Sequence, residues 1–273
     1  MEWFILFIVG LVGGIIGSLM GLGGGVIVVP ALLYLGSYGL IGDMTPQLAV
    51  GTSLVAVIAT GLSSTLSYYK KGNVDIKSGL LFFIGSGPGG VFGSWVNGYL
   101  NATTFSLYFG LFIILISFLL FMQNRLSPIT RSSNSNSLKK VYIDRDGTTY
   151  EYGYHLPLAV FISFVVGFTS GIFGIGGGAL MVPAMLLLFR FPPHIAVATS
   201  MFMILLSSFT SSLTHLFLGN IDWLLTIMLV PGAYLGAKIG VYINTRLKPV
   251  TVVRLLRLFL FIFGLRMIID GLL

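Results

Sequence analysis

Gly21-Leu22-Gly23-Gly24-Gly25-Val26-Ile27-Val28-Val29-Pro30 returns later in the chain as Gly174-Ile175-Gly176-Gly177-Gly178-Ala179-Leu180-Met181-Val182-Pro183. Five of the ten positions are the same glycines and proline, and the rest are apolar or small. Each copy lies inside a long apolar run. Three glycines let a backbone leave the helix, and Pro30 or Pro183 sits early in the next helix, where a missing N–H costs little. Apolar helix on both sides of such a break is the pattern of a discontinuous membrane helix.

The composition agrees. Of 273 residues, 56% are hydrophobic and only 8% charged, with a mean hydropathy of +0.98. Soluble domains carry about 25% charged residues, so the chain reads as a polytopic membrane protein. Cysteine is absent, which excludes disulfides, thiolate metal sites and cysteine catalysis. Met1-Glu2-Trp3-Phe4 has no basic region, so no removable signal peptide is expected. The net charge of +7 is read as basic loops beside an anionic leaflet, with no nucleic-acid partner expected.

Outward from the first break, residues 3–36 form one broken apolar stretch. As continuous helix it would be roughly 50 Å long, well over the ~30 Å hydrocarbon core. Spans are expected at 48–69, 78–97 and 103–122. Residues 123–156 are polar, and Asp146-Gly147 between β-prone flanks predicts a small hairpin. The second half then repeats the first, with a broken stretch at 157–189 and spans near 196–217, 223–243 and 251–270. Ala49-Val50-Gly51-Thr52-Ser53-Leu54 matches Ala196-Val197-Ala198-Thr199-Ser200-Met201, and Gly72-Asn73-Val74-Asp75 matches Gly219-Asn220-Ile221-Asp222. Pro88-Gly89 with Gly93 is matched to Pro231-Gly232 with Gly236. The chain is therefore read as a first transmembrane repeat at 1–122, a polar cytoplasmic linker at 123–156 and a second repeat at 157–273.

Charge decides the orientation. If each broken stretch re-enters and returns, each half crosses three times and the second half is inverted. Thirteen of the fifteen Lys and Arg residues then share one side, leaving only Lys238 and Arg266. The loops 37–46, 98–102 and 218–222 on the other side contain none. The expected fold is all-α, with two inverted repeats, each a broken re-entrant hairpin plus three transmembrane helices, and both termini outside the cell membrane.

The duplicated Gly-rich break followed by proline, the Thr-Ser pair, Gly-Asn-x-Asp and Pro-Gly-x-x-x-Gly together resemble the sulfite exporter TauE/SafE family. The resemblance covers nearly the whole chain outside the linker. It implies secondary transport of small anions, often sulfur-containing, such as sulfite or sulfoacetate, with proton coupling often supposed.

The candidate residues follow from what a small anion needs. Gly23, Gly24, Gly25 and Gly176, Gly177, Gly178 should end in half-helix N-termini whose free amides and dipole favour negative charge. The competing reading is that these glycines only let helices pack closely. Thr52, Ser53, Thr199 and Ser200 offer uncharged donors, or else bond their own helix backbone. Pro88, Gly89, Pro231 and Gly232 are read as helix breaks or hinges, with Pro30 and Pro183. His215 is the intramembrane group that titrates near neutral pH and could couple protons, or else be an interfacial histidine. No cofactor or metal is called for, and the oligomeric state stays open. An anion channel shares every one of these features. An intramembrane enzyme is disfavoured, because HExxH, GxSxG and paired intramembrane carboxylates are missing.

Overall fold

The computed structural model describes residues 2–121, 137–143, 149–247 and part of 251–269. The first half contains α1 (Glu2–Met20), α2 (Gly25–Ser37), α3 (Pro46–Tyr69), α4 (Ile76–Asn97) and α5 (Ala102–Phe121). Strands β1 (Ser137–Ile143) and β2 (Thr149–His155) pair antiparallel. The second half contains α6 (Leu156–Phe173), α7 (Gly178–Leu187), α8 (Pro193–Phe217) and α9 (Trp223–Asn244). Further helical residues lie between 251 and 269. The chain is an all-α polytopic membrane protein carrying one small hairpin, whose Asp146-Gly147 turn and the preceding linker lie outside the described residues.

Local chemistry sets the helix starts. Pro46 opens α3 behind Thr45, whose side chain accepts from Leu48 N at 3.3 Å. Asp75 accepts from Ser78 N at 3.2 Å to start α4, and Asp222 accepts from Leu224 N and Leu225 N at 2.9 and 3.1 Å to start α9. Each cap satisfies amides that the first turn would otherwise leave bare.

Six described helices are long and apolar enough to cross a membrane: α1, α3, α4, α6, α8 and α9. At 1.5 Å per residue the 19-residue α1 spans about 28 Å. The first arm of each broken stretch, expected to belong to a re-entrant hairpin, is thus itself of spanning length. The chain then turns back, since Gly17 packs on the backbone of Gly23 and Gly24, and Gly13 on Val28.

The packing is built on glycine. Gly232, Gly236 and Gly240 of α9 lie against the backbone of Phe7, Leu11 and Ile15 of α1, so these helices run parallel. Gly85, Gly89 and Gly93 of α4 lie the same way against Val160, Phe164 and Phe168 of α6. Without Cβ atoms the backbones touch directly, as small-x-x-x-small faces allow. α3 and α8 run antiparallel, with Gly51 against Asn220 and His215 and Gly61 against Leu205. α3 runs parallel to α9, where Ser63 Oγ donates to Tyr234 O at 2.8 Å and Lys71 Nζ donates to Thr245 Oγ1 at 2.7 Å.

This packing corrects one motif match. Gly85, Gly89 and Gly93 correspond to Gly232, Gly236 and Gly240, one helical turn away from the alignment that paired Pro88 with Pro231. Asn97 and Asn244 confirm the shifted register, because their Nδ2 atoms bond Ile172 O at 2.8 Å and Leu19 O at 2.6 Å, at the ends of α6 and α1. Nor are these prolines breaks: α4 is helical through Pro88-Gly89 and α9 through Pro231-Gly232. Pro30 and Pro183 likewise lie inside α2 and α7, in the second turn.

Candidate functional site

Both glycine runs leave the helix through left-handed backbone. Gly21, Gly23 and Gly24 have φ of 76°, 86° and 95°, and Gly174, Gly176 and Gly177 have 70°, 84° and 79°. Only glycine takes three such values in four residues without strain. Gly24 and Gly177 are the N-caps of α2 and α7, and neither helix start is capped by a side chain. First-turn amides there carry partial positive charge.

The two breaks meet. A Cβ built on Gly23 would lie 3.0 Å from Val57 Cγ1 and 3.2 Å from Ile204 Cγ2, and one on Gly176 would meet the same two side chains. Val57 and Ile204 stand near the middle of α3 and α8. Gly25 packs on the carbonyl of Gly174, and Gly178 packs on the carbonyl of Gly21. The hydroxyls of the expected Thr-Ser pairs complete this crossing. Ser53 Oγ donates to Gly174 O at 3.2 Å, and Ser200 Oγ to Gly21 O at 3.1 Å. Each serine therefore holds the break of the opposite half. Thr52 Oγ1 accepts from Asp222 N at 2.9 Å, and Thr199 Oγ1 accepts from Asp75 N at 3.0 Å. The threonines tie each central helix to the loop that starts the other half's next helix.

Thr52→Val and Thr199→Val are accordingly expected to lower stability as well as to weaken any anion binding. Each leaves a loop amide without its acceptor, at about 1–3 kcal/mol. Thermal unfolding of the purified variants checks this, and melting at the parental temperature would leave those amides with no need of the threonines.

His215 is fully buried in α8. Its Nε2 lies 3.4 Å from Gly171 O, and its Nδ1 lies 3.4 Å from Asn220 Nδ2. The ring thus sits at the α6–α8 contact, one turn beyond Ser211. Residues the motifs did not single out also face the second break. Ser208 Oγ would lie 3.4 Å from a Cβ on Gly176, and Ser170 Cβ 3.5 Å from one on Gly177. Asn97 and Asn244 were missed as well. The constant offset of 147 residues between Asp75 and Asp222 would have paired them.

Buried spanning helices with paired uncapped breaks at their centre define a membrane permease scaffold. The family described as Sulfite exporter TauE/SafE matches residues 6–267. The chain is 48% identical to "Probable membrane transporter protein YunE" of Bacillus subtilis, covering 99% of both chains. It is 29% identical to a probable membrane transporter protein of Methanocaldococcus jannaschii, over 90% of this chain and 87% of that one. A probable membrane transporter protein of Xylella fastidiosa is 26% identical over 86% of this chain and 84% of its own. No solved structure gives a significant match. The chain belongs to the sulfite exporter TauE/SafE family, a family of membrane transporters and not of enzymes.

Proposed function

We propose that this transporter carries small anions, as an exporter of sulfite or of organosulfonates such as sulfoacetate, by alternating access around the crossing of the two glycine breaks. The observation that carries the reading is the pair of uncapped half-helix starts, Gly24-Gly25 and Gly177-Gly178, held together at the middle of α3 and α8. Two N-terminal dipoles in a dry interior favour an anion without the tight grip of a buried Lys or Arg. The family's description as sulfite exporters supports the sulfur-containing class. Proton coupling, with His215 as the titrating group, is part of the same proposal.

The halves are read as inverted, with both termini outside an inner membrane. The one-sided basic loops support this, as do the opposite senses of α3 and α8. Saturable counterflow of radiolabelled sulfite in proteoliposomes tests the function, and a linear, non-saturating flux would favour a channel. Single cysteines on this cysteine-free background test the topology. Leu40→Cys is expected to react with an impermeant maleimide from outside, while Asn73→Cys is protected. The reverse pattern would overturn the orientation.

A further inference from the structure

A serine inside a helix ordinarily turns its hydroxyl back onto a carbonyl three or four residues earlier. This chain does so at Thr60, Ser67, Ser94 and Thr210, whose hydroxyls bond Ala56 O, Ser63 O, Gly90 O and Ser207 O. Ser86, Ser163, Ser170, Ser208 and Ser211 do not: all five are buried, at most 1% exposed, and have no hydrogen-bond partner among the described residues. They sit on α4, α6 and α8, and of these α6 and α8 pack on α7.

Four of the five are not repeated as serine at the matching position of the other half. By the register of the packing, Ser170 stands where the first half has Gly17, Ser163 where it has Gly10 and Ser208 where it has Gly61, while Ser86, itself in the first half, stands where the second half has Ala233. Of the five, only Ser211 has a serine counterpart, Ser64, which is likewise buried with no hydrogen-bond partner among the described residues. The backbone breaks are therefore matched, but their surroundings are not. Where Ser163, Ser170 and Ser208 surround the second break, glycines stand around the first. Two of those hydroxyl-bearing side chains reach the break itself, Ser208 toward Gly176 and Ser170 beside Gly177. An unpartnered hydroxyl in the dry core is costly unless something else accepts its proton.

Resting on the anion-transport reading, we propose that Ser170 and Ser208, with the first amides of α7 at Gly178 and Ala179, form a one-sided oxyanion subsite, so that the anion docks on the second half of the molecule. The matching ligand is a small oxyanion with several acceptor oxygens and modest charge, such as sulfite or a sulfonate headgroup. Two hydroxyls and adjacent amides supply donors, and a hydroxyl donates to an incoming oxygen without stranding a charge when the ligand leaves.

The test is binding of sulfite and of sulfoacetate to the purified full chain by isothermal titration calorimetry, with acetate as a carboxylate control. Ser170→Ala and Ser208→Ala are each expected to weaken binding about tenfold. Both variants are expected to melt at or above the parental temperature, because each removes an unpartnered polar group. Ser67→Ala, whose hydroxyl bonds its own helix, is the control expected to keep parental affinity. If the parent binds sulfite and both variants bind equally well, the subsite is wrong while the transport reading stands. Lowered melting in proportion to the loss of binding would make the serines structural and also overturn the subsite. A parent that binds none of the three anions would overturn both proposals.

Discussion

Gly25→Ala and Gly178→Ala are expected to disable the protein, each by pushing the two breaks apart. A Cβ on Gly25 would run into the carbonyl of Gly174, and one on Gly178 into the carbonyl of Gly21. These partners are backbone, so no rotamer change relieves the clash. Overpacking a well-filled core costs about 1–3 kcal/mol, occasionally more, and a collision with fixed backbone belongs at the upper end. The same shift would separate Ser53 from Gly174 O and Ser200 from Gly21 O. Gly24→Val and Gly177→Val add a β-branched side chain where φ is 95° and 79°, and are expected to abolish transport. Alanine is less even-handed. A Cβ at Gly24 would lie 2.7 Å from Gly13 O, whereas at Gly177 its nearest neighbour is Val166 Cγ1 at 3.1 Å, so Gly177→Ala is expected to be the milder of the two. Thermal unfolding and counterflow on the six single variants check the order. A Gly25→Ala protein with parental melting and transport would show that the breaks are not pressed together.

Much of this crossing is legible in the chain because it is written twice. Three glycines at matched sites, the Thr-Ser pairs and the Gly-Asn-x-Asp turns each mark a position where the backbone does something side chains cannot replace. Helix boundaries follow from caps such as Asp75 and Asp222, whose chemistry is local. What escaped was set by packing between helices. The eye aligns Pro88 with Pro231 because proline is conspicuous, yet a membrane helix continues through a proline whose freed carbonyl finds another neighbour. The glycine stripe that sets the register of α4 and α9 becomes visible only against α6 and α1. The hydroxyls of Ser170 and Ser208 escaped for a related reason: most serines in such helices bond their own backbone, and only the three-dimensional structure shows which do not. Thr52 and Thr199 were singled out as anion donors, but their acceptor role toward Asp222 N and Asp75 N depends on which half each faces, and the motif does not contain that.

The Asp146-Gly147 signal predicts the hairpin but not what it holds, and the hairpin supports the second large effect: Tyr154→Ala is expected to loosen the second half. Tyr154 is 1% exposed although it lies in a polar stretch. Its ring packs on Phe82 of α4 at 5.1 Å and on Phe189 and Phe191, in the loop between α7 and α8, at 5.6 and 6.2 Å. Its hydroxyl lies 2.8 Å from Ser78 Oγ, which also donates to Asp75 Oδ2 at 2.7 Å. Alongside, Gly153 N donates to Phe189 O at 3.1 Å, and Tyr152 Oη donates to Asp75 Oδ2 at 3.1 Å. β2 thus joins the end of the second half-helix to the start of α4, on the face where Thr199 holds Asp75 N. Removing a buried aromatic ring costs about 3–5 kcal/mol. Tyr154→Phe keeps the ring and loses only a hydroxyl contact, at about 1 kcal/mol, because Ser78 retains Asp75. Comparing the two variants separates packing from hydrogen bonding: thermal unfolding should fall steeply for alanine and slightly for phenylalanine. Equal melting of Tyr154→Ala and the parent would mean that the hairpin rests on the membrane domain without holding it, and that α7 is secured from the glycine breaks alone.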